Sequence, residues 1–457
     1  MAHFDNYDYL KTSNACVKCG KCLPDCTIFS INGDEATSPR GFIDLLGAYQ
    51  RKEIPLDKNA KDIFETCFLC TTCVRVCPNS LPTDTLIENI RYEIAQKYGI
   101  AWFKRIFFYL LKHRKIMDFG FKLGAIFAPL LYQATKDGNS IQPRFTLPLV
   151  KNRIFGGIAK RSFLNSHSEE ICFVDSKQSQ KTRKVAIFIG CLGNYNYKNV
   201  GESLLVILEA LQINAKLAKG QKCCGAPAYF TGDFASVDTL IRQNVEYFES
   251  FIEEVDAILI PEATCGAMIL EDWKHFMEKD LELKSRIEKL LPKIYMATKY
   301  LESQTNLVEI LNNIEQNRLK QEFQSPKQTF TYHDPCHARK VLGVYQEPRK
   351  LLQQNYQLVE MEDSTACCGF GGVTIQTERF ALASKVGSKK AKMIEKTQAQ
   401  FIVAECSACR MQLSNALYQA NVEIPFLHPL ELIAKIIKEN QSLFFNKKCD
   451  IILHNLI

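Results

Sequence analysis

The chain has 457 residues, 46% of them hydrophobic and 23% charged, with a formal net charge of +7. That length suits about three domains at ~150 residues each, and the apolar content excludes a disordered chain. Nineteen cysteines in so long a chain exclude the short disulfide-stapled secreted class, and the modest, dispersed charge does not call for nucleic acid as a partner.

No basic stretch followed by an apolar one opens the sequence, so no signal peptide is evident and a reducing cytoplasm is the expected compartment. The first chemistry comes at Cys16, Cys19, Cys22 and Cys26, and again at Cys67, Cys70, Cys73 and Cys77, with Pro78 behind the second run. Both runs have the C-x2-C-x2-C-x3-C spacing of a bacterial ferredoxin, in which three thiolates hold one cubane and the fourth reaches to its neighbour. The expectation is two [4Fe–4S] clusters: one on Cys16, Cys19, Cys22 and Cys77, the other on Cys67, Cys70, Cys73 and Cys26. Zinc is the rival, but four-thiolate zinc sites usually offer two pairs, not an unbroken triple plus a fourth. Thr27 stands where the first run would end in proline, which removes no ligand.

Helical periodicity over Gly41 to Tyr49 and Thr83 to Tyr98 makes residues 1–100 a mainly helical ferredoxin module. Residues 101–183 read as a helical and then polar linker. Its apolar run, Gly124 to Tyr132, falls far short of a bilayer span. Two readings suit its aromatic, basic helices: an amphipathic pair on a membrane surface, or helices packed between domains with lysines facing water. The second is the expectation.

From Lys184 onward strands and helices alternate. Val185 to Ile189, Ala257 to Ile260, Phe330 to Tyr332 and Phe401 to Ala404 read as buried strands, each followed by a cysteine. The cysteines repeat: Cys191, Cys223, Cys224 and Cys265 are followed by Cys336, Cys367, Cys368 and Cys406, offset by 141–145 residues. The second set gains a fifth member, Cys409, where the first has Met268, a softer and weaker ligand. Adjacent cysteines followed by glycine suggest backbone crowded against a bulky object. Five thiolates gathered from strand ends in 336–409 suffice for a cluster larger than one zinc. Cys172 and Cys449 fall outside every set and read as inert. The domains expected are therefore 1–100, a linker 101–183, repeats at 184–325 and 326–440, and a tail 441–457, with an α+β fold overall.

The two ferredoxin runs together with Cys265-Gly-Ala-Met268, His333-Asp-Pro-Cys-His337, Glu347-Pro-Arg349, Cys367-Cys-Gly-Phe-Gly-Gly372 and Cys406-Ser-Ala-Cys-Arg-Met-Gln-Leu413 resemble the iron–sulfur subunits of glycolate and lactate oxidases. These belong with heterodisulfide-reductase-like proteins carrying duplicated CCG domains. The resemblance implies an electron-transfer subunit beside an FAD-containing dehydrogenase that oxidises a 2-hydroxy acid. Electrons would pass towards quinone or another membrane acceptor, and the chain would be cytoplasmic or peripheral on the inner membrane's cytoplasmic face. It also implies a noncubane [4Fe–4S] cluster on Cys336, Cys367, Cys368, Cys406 and Cys409, with Met268 setting the first repeat apart. The alternative is a catalytic cluster in the second CCG domain, of heterodisulfide-reductase or fumarate-reductase type. No G-x-G-x-x-G follows a strand, so no flavin is expected on this chain. His333 and His337 have three roles open to them: donors that tune a cluster, a proton relay, or corner residues at Asp334-Pro335.

Overall fold

Two mainly parallel sheets that share a four-strand order organise the computed structural model of the chain, which describes residues 7–135, 140–148, 150–174, 183–320 and 326–440. The first sheet contains β1 (Glu170–Ile171), β2 (Lys184–Ile187), β3 (Asn214–Leu217), β4 (Ala257–Ile260) and β5 (Ile294–Met296) in the order β1-β3-β2-β4-β5. The second contains β6 (Thr329–Tyr332), β7 (Gln357–Leu358), β8 (Phe401–Val403) and β9 (Phe426–Leu427) in the order β7-β6-β8-β9. Leaving β1 aside, both read second-first-third-fourth, and every pairing among those strands is parallel. The duplication seen in the cysteines is thus a duplication of topology.

The apolar runs explain the sheets. Val185, Ala186 and Ile187 are buried on both faces, as helices on either side of a parallel sheet require. In each repeat the chain leaves its first strand to one side and then crosses to the other. The crevice beyond the carboxyl ends of the first and third strands is the topological switch point, where open α/β sheets bind ligands. Cys191 follows β2 and Cys265 follows β4; Cys336 follows β6 and Cys406 follows β8.

The N-terminal module is helical, with Pro39–Gln50, Lys58–Phe64 and Thr83–Tyr98 as its main helices. Ser38 caps the first, accepting from the Gly41 amide at 3.0 Å with Pro39 at the first turn, and Asp57 caps the second through the Ala60 amide at 2.8 Å. The module is not tethered at arm's length. Phe42, Phe64 and Leu86 share one continuous core with Phe234 and Leu240 of the first repeat and Ile375 and Ala383 of the second. A second core is common to the two repeats, joining Leu204 and Ile207 to Leu430 and Ile433.

The stretch 101–183 departs from expectation in two ways. It supplies structure to its neighbours: Tyr132–Ala134, Ser140–Pro143 and Phe155–Gly156 form a three-stranded sheet, and β1 joins the first repeat as an antiparallel edge. In the helix pair Trp102–Lys112 and Arg114–Leu131, Lys115 and Lys122 face water as expected, but Lys104 and Lys112 turn inward. Lys104 is buried and reaches Glu378 at 2.5 Å, and Lys112 donates to Ser236 at 3.1 Å. Trp102, Phe119, Ile126 and Leu130 are instead exposed. Burial of the lysines is offset by their partners on the two repeats, whereas the outer apolar face has none among the described residues. Among those residues, no helix is long and apolar enough to cross a membrane. The tail at 441–457, with Cys449, lies outside the described residues.

Candidate iron–sulfur sites

The ferredoxin runs wrap two small cavities. Cys16, Cys19, Cys22 and Cys77 line one, Cys26, Cys67 and Cys70 line the other, and Cys73 touches both. The fourth cysteine of each run therefore lies with the opposite run. The backbone shows how seven residues turn three side chains inward: Lys18 (φ 55°) and Gly20 (φ 75°) adopt left-handed conformations, and so do Leu69 (φ 51°) and Thr71 (φ 56°) at the matching positions. For non-glycine residues this costs roughly 1–2 kcal/mol each and persists where the surroundings over-determine it. The Leu69 amide donates to the Cys67 sulfur at 3.4 Å, and Thr27 and Thr72 lie 3.5 and 3.4 Å from the Cys70 sulfur. Burial pushes the Cys26 thiol up to about 11 and the Cys67 thiol up to about 12, so these sulfurs ionise in place only against a cationic metal. Thiols alone, backbone donors aimed at sulfur, and strain repeated in the two loops all fit a bound cluster.

The two repeats face one another across a cavity of about 550 Å³ with mostly apolar walls. Cys336, Cys367, Cys368, Cys406 and Cys409 all line it, together with Cys191, Cys224 and Cys265 from the first repeat. Cys223 sits behind, beside a smaller cavity. The Cys368 and Cys409 sulfurs are 3.2 Å apart. In the first repeat Cys191 neighbours Cys223, Cys223 neighbours Cys224 and Cys224 neighbours Cys265, so the four thiols form one contiguous group. Met268 is fully buried and does not line the cavity; it packs near Gly225, where an added Cβ would meet its Cε at 3.4 Å. The glycines after the cysteine pairs are both left-handed, Gly225 at φ 104° and Gly369 at φ 88°. The object crowding Gly369 is protein, because a Cβ there would meet Val386 at 2.9 Å and the Ala383 carbonyl at 3.0 Å. The bulky object expected against that glycine is helix Phe380–Thr397.

Charged groups that spacing did not single out complete the site. Glu262 crosses from the first repeat to the second, where its carboxylate accepts from the Ser407 amide at 2.8 Å and from the Ser407 hydroxyl. Burial pushes Glu262 up to about 7, and burial likewise pushes Glu405, beside Cys406, up to about 8. His333 is 1% exposed, and neither ring nitrogen has a partner among the described residues. One of its nitrogens lies within 4.8 Å of the Cys368 and Cys409 sulfurs. An orphaned buried imidazole beside two thiols fits a polar or metallic group held between them. His337 is placed differently: it stacks on Phe230 (5.6 Å, 10°), with Nδ1 3.4 Å from Thr264 Oγ1 and 3.9 Å from the Cys336 sulfur. The corner role belongs to Asp334, which is clamped by Arg349 at 2.6 Å, Arg339 at 2.5 Å and Ser364 at 2.8 Å.

Two cations lock the module to the repeats. Arg91, buried on helix Thr83–Tyr98, donates to the Cys67 carbonyl at 2.6 Å and the Phe230 carbonyl at 2.9 Å. Lys340 donates to Thr72 Oγ1 at 2.5 Å and to the Thr365 carbonyl at 3.1 Å, tying the loop of Cys70 to the loop of Cys367. Burial lowers Lys340, but the sulfurs of Cys70, Cys336 and Cys367 outweigh it and hold the ammonium above its ordinary range. A weak signal for Lys340 existed in its position four residues after Cys336. Arg91 had none, since one arginine in an amphipathic helix reads as surface. Cys172 is exposed and stands apart from these groupings: it lines neither ferredoxin cavity nor the large one.

Comparison with known proteins agrees with this construction. Residues 185–270 and 330–414 match the cysteine-rich domain family CCG, and residues 12–81 match the 4Fe-4S dicluster domain. The chain is 26% identical over 412 residues to a protein of Bacillus subtilis named probable glycolate oxidase iron-sulfur subunit, covering 87% of each. It is 25% identical over 442 residues to a subunit of the fumarate reductase (CoM/CoB) of Methanothermobacter marburgensis, covering 94% of this chain and 73% of that one. It is also 28% identical over 254 residues to lactate utilization protein A 2 of Bacillus cereus, covering 55% of this chain and 98% of that one. Two cysteine-rich repeats of one topology, with a helical module packed into their core, carry CCG cysteine-rich domains and a 4Fe-4S dicluster domain, and the chain is similar to a glycolate oxidase iron–sulfur subunit and to lactate utilization protein A.

Proposed function

We infer that this chain is the iron–sulfur electron-transfer subunit of a flavin-dependent glycolate or lactate dehydrogenase complex, taking electrons from an FAD-containing partner and passing them towards quinone at the cytoplasmic face of a membrane. The observation that carries the reading is the unbroken line of thiols from the Cys16 cavity, through Cys73 and Cys70, to Cys367 and the large cavity between the repeats. Relatives named for glycolate oxidase and lactate utilization support the substrate class.

Iron–sulfur clusters supply reversible one-electron chemistry when bound. The chain's own part is to hold them and set their surroundings. Cys16, Cys19, Cys22 and Cys77 would hold one [4Fe–4S] cluster, Cys26, Cys67, Cys70 and Cys73 a second. Cys336, Cys367, Cys368, Cys406 and Cys409 would hold a noncubane [4Fe–4S] cluster. The first repeat, with Met268 turned into the core, offers Cys191, Cys223, Cys224 and Cys265 without a fifth thiol. Lys340 places one positive charge where the thiols of the module and the second repeat meet, and Arg91 fixes the loop that carries Cys67.

The test is anaerobic reduction of the purified chain by glycolate or lactate, with and without the co-purified flavoprotein. Bleaching of the visible absorbance that requires both substrate and flavoprotein supports the reading. Reduction of a disulfide by the isolated chain with an artificial donor overturns it in favour of a catalytic cluster in the second repeat. That second reading draws on one observation, the thiol-lined cavity of about 550 Å³, which is large enough for a small substrate.

A further inference from the structure

The helix pair Trp102–Lys112 and Arg114–Leu131 carries a surface that the electron-transfer reading does not use. Of fifteen exposed large hydrophobic residues among those described, eleven fall between Trp102 and Phe145. Soluble monomers rarely expose so much contiguous apolar surface without an interaction to cover it. The face has no route inward. Lys104 is held by Glu378, Arg114 donates to the Lys219 carbonyl at 3.0 Å, and Asp118 accepts from the Tyr195 hydroxyl at 2.6 Å. With the polar side anchored to both repeats, the apolar side must point away.

We propose that this helical hairpin seats the protein in the headgroup region of an anionic lipid bilayer, and that the thiol-lined cavity behind it is reached from the lipid side. The segment 102–131 holds six lysines and arginines against one acid, Asp118, and Arg105, Lys115 and Lys122 are exposed beside the apolar face. Basic and aromatic residues on one amphipathic surface match a negatively charged membrane interface. The cores of protein interfaces, by contrast, are depleted of lysine. Helices of 11 and 18 residues, about 16 and 27 Å long at 1.5 Å per residue, lie in the plane of that interface. Their inner sides form part of the cavity wall: Phe107, Leu110, Met117, Phe121 and Gly124 all line it. The same two helices therefore separate lipid from thiols. The access step rests on the proposed electron-transfer role, with a quinone taking two electrons from the chain and two protons from water to become a quinol. The seating does not rest on it.

The full-length chain, purified anaerobically, is floated with vesicles of phosphatidylglycerol and phosphatidylethanolamine and, separately, of phosphatidylcholine. Binding to the anionic vesicles is expected to be stronger on the order of 100-fold, from three exposed cations, and to weaken with salt. Phe119→Glu with Ile126→Glu should abolish flotation while iron content and far-ultraviolet circular dichroism stay unchanged. Wild-type protein that stays at the bottom of the gradient, or a glutamate variant that still floats, overturns the seating. Gly124→Leu tests access, since nothing lies within 4 Å of a Cβ there and the helix tolerates it. It should float like wild type and slow reduction of a long-tailed quinone in the vesicle, leaving ferricyanide reduction intact. Equal rates with both acceptors overturn lipid-side access. Wild type that floats yet passes electrons only to ferricyanide overturns both that access and quinone as acceptor, with the seating upheld.

Discussion

The thiol of Cys70, in the N-terminal module, lies beside the thiol of Cys367, nearly three hundred residues later in the second repeat. The two sulfurs belong to different candidate clusters, so the proposed electron path would cross from module to repeat at this point. Lys340 pins the loops on either side of it.

Cys70→Ala should remove one cubane signal from the electron paramagnetic resonance spectrum of the reduced protein. It should also cut electron throughput to any acceptor by at least about tenfold, the minimum expected for loss of a metal ligand. Cys172→Ala should change neither, since that thiol is exposed and lines no cluster cavity. Equal losses in the two variants would undo this sorting of the cysteines.

Lys340→Met removes a half-buried cation that interacts with Cys70, Cys336 and Cys367. Less positive charge makes adding an electron harder, so the reduction midpoint of the nearest cluster should fall. Anaerobic redox titration reads the shift; an unchanged midpoint would reduce Lys340 to a tether.

His333→Phe should leave the ferredoxin signals as they are. It should weaken iron retention in the second repeat by roughly 10–100-fold, the usual consequence of deleting a group that supports a metal ligand. Iron per chain after timed chelator challenge measures it. A packing residue alone would alter the melting temperature without altering iron loss.

Arg91→Met leaves the Cys67 and Phe230 carbonyls without their charged donor. Hydrogen bonds to charged groups contribute about 1.5–3 kcal/mol each, so a destabilisation of about 3 kcal/mol is expected. The midpoint of anaerobic urea denaturation would report it, and a shift within error would show the clamp to be idle.

Burial pushes His428 down to about 3, with its Nε2 hydrogen donated to the Pro261 carbonyl at 2.9 Å and Nδ1 accepting from the Leu430 amide at 3.2 Å. The unfolded chain takes up a proton near pH 6.5 and the folded chain does not, so this contribution is full above that pH and is lost as pH falls towards 3. Between pH 7.5 and 5 it amounts to about 2 kcal/mol. His428→Gln should flatten that part of the stability profile.

Much of this molecule was legible in the residues because metal ligation and parallel strands both leave periodic marks. The two ferredoxin runs and the offset cysteine sets pointed to the four places where thiols gather. Val185 to Ile189 read as a buried strand because burial on both faces demands an unbroken apolar run. What stayed hidden was orientation. The pattern of Trp102 to Leu131 fixes two amphipathic helices but not which side meets protein, since Glu378 and Ser236, the partners that draw Lys104 and Lys112 inward, come from distant segments. Arg91 and Glu262 were invisible for the same reason: their partners, Phe230 and Ser407, are neighbours only after folding. Met268 was visible as a missing thiol, while its turn into the core was not.

The sharing of each N-terminal cavity between both cysteine runs bears on how the protein is made. A ribosome that has delivered residues 1–30 has released only part of either thiol lining, and neither pocket exists until Cys77 has emerged. Loading of the two candidate sites would thereby be tied to one moment of synthesis, and a fragment holding only one run would lack part of each lining.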